Sequence, residues 1–309
     1  AHVAEHSQKI VEALESGKLI KSNKKKEFVI GVEALPNFPK DTTDRNRTSP
    51  FAFTGNKFEF RMLGSSASVS DVNVVLNTAV AESLRQFADE LENVDDFETA
   101  LHDLIKKTIK EHKRIIFNGN GYDDKWLQEA EKRGLLNLPT TPDALPKIID
   151  KKNVELFETH RVYSEVEINS RLAVLLDNYR KILRIEALTM IEMSRKDIMP
   201  AISKFIGEVS SALNSKRSAV KGVSCKYEES VIEKAATLLD KMLDRTDALD
   251  KLLVEVKAIK DTLLKANFYR DSVIPVMEEL RVAADELEVI CDRNIWPYPD
   301  YSEMLFGVK

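Results

Sequence analysis

Residues 154–199 read VELFETHRVYSEVEINSRLAVLLDNYRKILRIEALTMIEMSRKDIM, and this is the longest uninterrupted helical pattern in the chain. Its large apolar residues recur every three or four positions, as they do on one face of an α-helix. We expect the inward face to be formed by Ile168, Leu172, Leu175, Tyr179, Ile182, Leu188 and Ile191. Pro200 follows directly and should kink or end the helix, because proline lacks a backbone N–H.

The same spacing continues on both sides of this stretch. It predicts further helices over 69–91, 95–113, 201–218, 228–267 and 271–291. The broad apolar stripe of residues 69–91 predicts a helix with one buried face. Long antiparallel helices joined by short turns are the packing that suits such patterns.

Length and composition restrict the class of protein. The 309 residues can hold two domains, and the formal net charge of -5 gives no reason to expect a nucleic-acid partner. The two cysteines, Cys225 and Cys291, match no metal-ligand spacing and suit free thiols in a reducing cytoplasm. No apolar run of membrane-spanning length is present, so we expect a cytoplasmic protein without a membrane partner.

The densest chemistry lies in residues 44–64, DRNRTSPFAFTGNKFEFRMLG. Charged and aromatic side chains alternate from Lys57 to Arg61, which predicts a strand with Lys57, Glu59 and Arg61 on one face. A carboxylate between two cations suits a divalent metal beside an anionic substrate. The alternative is a surface strand with a solvated charge ladder. Arg45 and Arg47, placed before a Thr-Ser-Pro turn, favour phosphate binding.

Two other motifs leave alternatives open. Residues 117–122, FNGNGY, are similar to a glycine-rich phosphate loop, but they lack the Gly-Lys-Ser/Thr ending, which favours a turn before a helix. The aromatic and proline-rich tail 296–301, WPYPDY, either docks on its own domain or inserts into a neighbouring subunit.

The sequences of these motifs resemble those of one enzyme family. Residues 46–48 and 56–61 resemble the final active-site strand of glutamine synthetases, and the fuller run 45–61 resembles the type III subfamily. Residues 118–122, 131–135 and 140–146 resemble its helical C-terminal extension. The resemblance implies a mainly α fold with a small α+β portion. Residues 1–92 would carry the last active-site strands of the catalytic domain, and residues 93–309 would form a helical C-terminal bundle.

The resemblance also implies a role for each residue of the strand motif. Glu59 would bind one of the divalent ions, Mg²⁺ or Mn²⁺, that bridge the phosphates of ATP. Arg61 would pair with the glutamate substrate, and Arg47 would contact the transferred phosphoryl group. Lys57 would contact the nucleotide phosphates, and Arg45 could replace a second phosphate-binding arginine of the family.

The implied reaction is the ATP-dependent ligation of ammonia to glutamate through γ-glutamyl phosphate. Glu33 would match the mobile-loop glutamate that takes a proton from ammonium, although its spacing to Arg47 departs from the common pattern. The family's other metal ligands have no match here, so we expect a carboxy-terminal portion that is inactive alone. The resemblance also implies a homo-oligomer, a double-ring dodecamer. The alternatives are a non-catalytic helical assembly module and a ligase that uses a different amine.

Overall fold

The computed structural model is helical over most of the residues that it describes. The structure describes residues 2–3, 5–16, 27–28, 38–39, 51–53, 58–60, 64, 67–121 and 123–307. Within these ranges, every helix is too short or too polar to span a lipid bilayer. The chain forms two compact units, one of residues 1–139 with 155–164 and the other of residues 140–154 with 165–309.

The first unit is built mainly from helices. They are α1 (Glu5–Ser16), α2 (Ser70–Leu91), α3 (Phe97–His112) and α4 (Asp124–Lys132), with a 3-10 turn at Lys113–Ile115. Helix α3 is capped by Asp96, whose carboxylate accepts a hydrogen bond from the N–H of Thr99, and this satisfies one of the free donors of the first turn. An ion pair of 2.7 Å between Lys113 and Glu15 joins the end of α3 to α1.

Strand in the described residues is limited to short segments of the first unit. They are β1 (His2–Val3), β2 (Glu27–Phe28), β3 (Phe38–Pro39), β4 (Phe51–Phe53) and β5 (Phe58–Phe60). Strand β4 pairs antiparallel with β5 and parallel with β1, and β2 pairs antiparallel with β3.

The expected α+β portion with the active-site strands of a catalytic domain is therefore wrong, whereas the mainly α expectation fits. Strands in globular sheets usually run about five to six residues, and each of these segments has two or three. Alternation is a local signal. It indicates that one segment can be extended, but it does not supply the long neighbouring strands from which a sheet is built.

The apolar stripe of α2 is also less buried than its pattern predicts. Thr78 is the buried residue of this helix. Val75, Val80 and Leu84 are exposed to 47%, 56% and 61%. An apolar stripe shows that a helix has a face available for burial, and the described part of the chain leaves much of this face open.

The second unit consists mainly of three long helical rods. Helix α6 (Lys151–Thr159) contributes residues to both units. The remaining elements are α5 (Thr141–Ala144), a 3-10 turn (Leu145–Ile149), α7 (Glu165–Met193), a π turn (Ser194–Ile198), α8 (Met199–Ala219), α9 (Lys226–Glu255), a 3-10 turn (Val256–Ala258), α10 (Thr262–Phe268), a second π turn (Tyr269–Val273), α11 (Ile274–Ile290) and α12 (Tyr301–Phe306). Because the π turns continue the helices without a break, rod 1 spans residues 165–219, rod 2 spans 226–258 and rod 3 spans 262–290.

Ion pairs show that neighbouring rods are antiparallel. Lys216, near the end of rod 1, pairs with Glu228, near the start of rod 2. Arg195, earlier in rod 1, pairs at 2.9 Å with both Asp247 and Asp250, which lie later in rod 2. Rods 2 and 3 are linked in the same sense. The predicted antiparallel helices joined by short connections are therefore present.

All three rods contribute to one hydrophobic core. Its residues exposed to 1% or less include Ala187, Ile202, Ala235, Met242, Leu249, Val273, Leu280, Ala283 and Leu287. The sequence placed Ile168 and Ile191 inward correctly, but Ile182 and Leu188 are 55% and 40% exposed. Helix α7 carries apolar residues on more than one face, so spacing alone does not identify which face is buried.

Each π turn lies just before a proline. The N–H of Met199 donates to the carbonyl of Ser194, and the N–H of Ile274 donates to the carbonyl of Tyr269, in the wider i→i−5 pattern. Pro200 and Pro275 follow directly. Pro200 therefore distorts rod 1 into a π turn and does not end it.

Candidate functional site

Most of the residues assigned to the catalytic site lie outside the described residues. These are Glu33, Arg45, Arg47, Lys57 and Arg61. The backbone of Glu59 lies in the middle of β5, opposite Ala52 of β4. The roles of all six residues remain predictions.

The side chains that the structure describes do not form a metal-binding cluster. In that part of the chain, no three His, Cys, Asp or Glu side chains are grouped so that they could hold a metal ion. Mg²⁺ requires about six oxygen ligands in octahedral geometry, and protein sites supply at least one or two carboxylates together with substrate phosphates. The described residues therefore do not complete a metal site around Glu59, and no chemical step through a metal is derived for this chain.

The best-defined polar cluster of the second unit is centred on Arg270 in the second π turn, and we call it the Arg270 cluster. Its guanidinium donates to Asp143 at 2.7 Å and to the two carboxylate oxygens of Asp271 at 2.6 and 2.9 Å. Thr140 donates from its hydroxyl to the other oxygen of Asp143. The side chains of Arg270 and Asp143 are 25% and 35% exposed. Hydrogen bonding to Asp271 raises the pKa of Arg270 above its ordinary value, and the same contact lowers the pKa of Asp271.

The Arg270 cluster explains why residues 140–146, TTPDALP, form an ordered turn. Thr140 is the residue before α5, Pro142 lies in its first turn, and Asp143 faces Arg270. Charge-assisted contacts of this kind are short and directional. Since the guanidinium already pairs with both carboxylates, the arrangement favours a structural role, in which this turn is fixed against rod 3.

The glycine-rich residues 117–121 form the turn before α4 that the sequence favoured. The ring of Phe117 stacks on Trp126 with centroids 3.7 Å apart, and the guanidinium of Arg133 lies 5.5 Å from the centre of the Trp126 ring. Arg133 also donates to the carbonyl of Ile116 at 3.0 Å. A Cβ atom on Gly119 would lie 2.5 Å from the end of the Phe117 ring, so any other residue there would require this stacked ring to shift. The loop is therefore packed against α4 through Phe117 and Trp126.

Residues 131–135 end helix α4. Gly134 adopts a φ of +69°, a left-handed conformation that favours glycine. Its N–H donates to the carbonyl of Glu131, and the N–H of Leu135 donates to the carbonyl of Ala130, both at 2.9 Å. The glycine of this motif therefore follows the C-cap Arg133 and terminates the helix.

The start of the tail after rod 3 docks on its own unit, as in the first of the two alternatives given above. Trp296 and Tyr298 pack against the core, and the Tyr298 hydroxyl donates to Asp197 of the first π turn at 2.8 Å. Burial, together with the hydrogen bond to Asp197, raises the pKa of Tyr298 to about 12. The tail borders an open cleft of about 630 Å³ lined by Arg293, Trp296, Pro297, Tyr298, Pro299, Glu303 and Gly307.

Sequence reasoning overlooked the two arginines that the π turns present. Arg195 and Arg270 each stand five residues before a proline, in RKDIMP and RDSVIP. Each makes contacts with two aspartates. The shared Arg-x4-Pro spacing was the available signal, because a proline inside a helical pattern requires a local change in hydrogen bonding.

Comparisons with known proteins identify a family match and several relatives. Residues 100–217 match the family described as the glutamine synthetase C-terminal domain. The chain is 39% identical over 284 residues to a type-3 glutamine synthetase of Dictyostelium discoideum, covering 90% of this chain and 39% of the relative. It is 36% identical over 316 residues to a glutamine synthetase of Butyrivibrio fibrisolvens, covering 99% of this chain and 44% of the relative.

The fold and the matched region thus define a helical domain of the glutamine synthetase C-terminal type. The resemblance seen in the sequence is confirmed, because most of the chain is similar to proteins named glutamine synthetase, one of them a type-3 enzyme. The chain spans about two-fifths of the length of the curated relatives that it matches.

Proposed function

We propose that this chain is part of an enzyme that makes glutamine from glutamate, ammonia and ATP through γ-glutamyl phosphate. The observation that carries the proposal is the 39% identity to a type-3 glutamine synthetase over 90% of the chain. The charges of residues 45–61 support it, because transfer of a phosphoryl group to a carboxylate gathers negative charge that cations must offset.

The proposed roles remain those of the strand motif. Glu59 supplies one oxygen ligand to Mg²⁺ or Mn²⁺, and Arg61 pairs with the carboxylate of glutamate. Arg47 contacts the transferred phosphoryl group, and Lys57, with Arg45, contacts the nucleotide phosphates. Glu33 accepts a proton from ammonium. Residues 1–92 belong to the catalytic domain in this proposal, and residues 93–309 form the helical domain of a cytoplasmic homo-oligomer, a double-ring dodecamer.

The role of Glu59 is tested by the substitution Glu59→Ala, made in an active polypeptide that contains this chain. We expect weaker metal-nucleotide binding, measured by titration with MgATP, and a loss of glutamine formation. Glu27→Ala is the matched control, because it removes a glutamate carboxylate from strand β2, which lies outside the motif. Equal activity of the two variants would remove the proposed role.

The role of Arg61 is tested in the same polypeptide by Arg61→Ala. We expect the KM for glutamate to rise while nucleotide binding is retained, because the arginine is proposed to pair with glutamate alone. Arg85→Ala is the control, since Arg85 is half exposed on α2 and pairs with Glu82 and Asp89 on its own helix. An unchanged glutamate KM would contradict the assignment.

The 309-residue chain itself should show no turnover. The described residues do not complete a metal site, and the relatives are more than twice as long. A coupled phosphate-release assay with ATP, glutamate, ammonium and Mg²⁺ measures this directly. Phosphate release that depends on glutamate would show that the chain is catalytically complete.

A further inference from the structure

The glycine-rich loop before α4 contains two Asn-Gly pairs, Asn118-Gly119 and Asn120-Gly121, and the sequence has no other. Both asparagines are exposed. Asparagine is thermally labile in proteins, because the backbone nitrogen of the next residue can attack its side-chain amide carbon. Glycine hinders this attack least, since it has no Cβ atom beside the nitrogen. The loop therefore offers two candidate sites for spontaneous deamidation.

The reaction consumes water and requires no cofactor. The glycine nitrogen gives up its proton to a solvent base and bonds to Cγ of the asparagine. The side-chain nitrogen then leaves as ammonia with a proton from water, and a cyclic succinimide remains. Water adds to one of the ring carbonyls and opens the ring. One opening gives aspartate, and the other gives isoaspartate, in which the main chain runs through the side-chain carbons.

The packing around the loop restrains the first site. Attack at Asn118 rotates the peptide unit that leads into Gly119. This glycine is confined by the Phe117 ring, which lies 2.5 Å from the position that a Cβ atom would take. The ring is itself held by stacking on Trp126, with centroids 3.7 Å apart. Reaction at the first site would therefore disturb a packed aromatic pair.

The main-chain restraint on the second site is weaker. The carbonyl of Asn120 accepts the N–H of Asp123 at 3.3 Å, which is longer than the usual range of about 2.7–3.2 Å for such bonds. Attack at Asn120 rotates the peptide unit that leads into Gly121 and gives up this long hydrogen bond. We therefore expect the second site to react faster than the first in the folded chain.

We propose that Asn120 is a modification site, which deamidates through a succinimide faster than Asn118 and whose isoaspartate product loosens the loop. Asn120 lies between Phe117 and Trp126 in the chain, directly before the turn that ends at Asp123, the N-cap of α4. Isoaspartate adds a carbon atom to the main chain at this point, so the two stacked rings lose their register. The proposal concerns the folded chain and does not depend on the proposed ligase activity.

Peptide mapping of the aged native chain tests the choice of site. The chain is incubated in mildly alkaline buffer, and trypsin then releases residues 115–125, which carry both asparagines. Fragment mass spectra should locate several-fold more deamidation at Asn120 than at Asn118. In guanidinium chloride the two rates should become similar, because each asparagine precedes a glycine. Deamidation at Asn118 that equals or exceeds that at Asn120 in the native chain would overturn the proposal.

Two controls accompany this measurement. Asn214 is also exposed and precedes a small residue, Ser215, but it lies within helix α8. Asn214 should stay intact over the same period, and equal losses at Asn214 and Asn120 would contradict a special role for the loop. Gly121→Ala should slow the loss of Asn120 several-fold, because a Cβ atom hinders the attacking nitrogen. An unchanged rate would rule out attack by that nitrogen.

Fluorescence of Trp126 in a Trp296→Phe background tests the structural consequence. Its emission should shift as isoaspartate accumulates, because the indole loses the Phe117 ring that covers it. Asn120→Asp carries the charge of the aspartate product without lengthening the main chain, so it should keep the emission of the unmodified chain. Unchanged emission of the aged chain, or an equal shift in Asn120→Asp, would overturn the proposed effect of isoaspartate.

Discussion

Two leucines of the same helix provide a direct test of the core of the second unit. Leu249 lies on α9 and has no exposed surface, whereas Leu243, six residues earlier, is 47% exposed. Leu249→Ala and Leu243→Ala remove the same atoms from the same helix. Their difference therefore reports burial, because the change in helix propensity is shared.

The expected magnitudes follow from these exposures. Removing a fully buried leucine costs about 2–5 kcal/mol, since the cavity adds to the lost transfer free energy. Full burial of a leucine contributes about 1.5–3 kcal/mol, so the half-exposed Leu243 should lose roughly 1 kcal/mol. We expect Leu249→Ala to lower the free energy of unfolding by about 2 kcal/mol more than Leu243→Ala does.

Urea unfolding measures this difference if the signal comes from the second unit alone. Trp296 packs against that core, and Trp126 stacks in the first unit, so Trp126→Phe leaves Trp296 as the reporter. With an m-value of about 1–3 kcal/mol per molar urea, the midpoints should differ by roughly 1 M. Equal midpoints for the two variants would refute the assignment of Leu249 to the core.

Three further predictions concern ionisable groups. Burial raises the pKa of the Cys291 thiol from 9.0 to about 11. The contribution of the neutral thiol to the free energy of unfolding is therefore complete below pH 9 and is lost as the pH rises towards 11. Cys291→Ala should flatten that decline in urea titrations, and an unchanged slope would count against it. Hydrogen bonds led by Arg85 hold the pKa of Glu82 well below 4.5, so its stabilisation is present above that pH and is lost on acidification. Glu82→Gln should therefore weaken the acid dependence of the first unit, followed through Trp126 fluorescence in a Trp296→Phe background, and an unchanged acid dependence would show that these contacts do not form in solution. Arg270→Met should accelerate several-fold the amide exchange of Asp143 and Ala144, whose N–H groups donate to the carbonyl of Thr140, and protection equal to wild type would show that the Arg270 cluster does not fix this turn.

Helices were predictable where one apolar face was periodic and a clear stop followed. The prediction 201–218 corresponds to α8 (Met199–Ala219), and 95–113 corresponds to α3 (Phe97–His112). Two breaks were missed. The long pattern 154–199 is interrupted between α6 and α7, where Arg161 adopts a φ of +53°, a conformation for which glycine is the usual signal. The pattern 228–267 is interrupted before Asp261, whose carboxylate caps α10.

The candidate site was predictable only as a sequence motif. A family motif assigns roles to residues 33–61, but the roles require ligands that converge from several elements, and spacing within one segment does not supply that convergence. The Arg270 cluster shows the reverse case. Its members Asp143 and Arg270 are 127 residues apart in the sequence, and no local pattern connects them. The predicted domain boundary at residue 92 likewise stays a prediction.

The two π turns indicate how the rods combine length with fixed side contacts. A proline inside a helix removes one N–H donor and crowds the carbonyl four residues earlier. Widening the preceding turn to the i→i−5 pattern relieves that crowding and inserts an extra residue, which rotates the following side chains around the rod. In both rods the widened turn contains the arginine that makes ion pairs outside its own turn, Arg195 with rod 2 and Arg270 with the turn at Asp143. The prolines therefore do more than interrupt a pattern, because each follows a widened turn whose arginine ties the rod to another element.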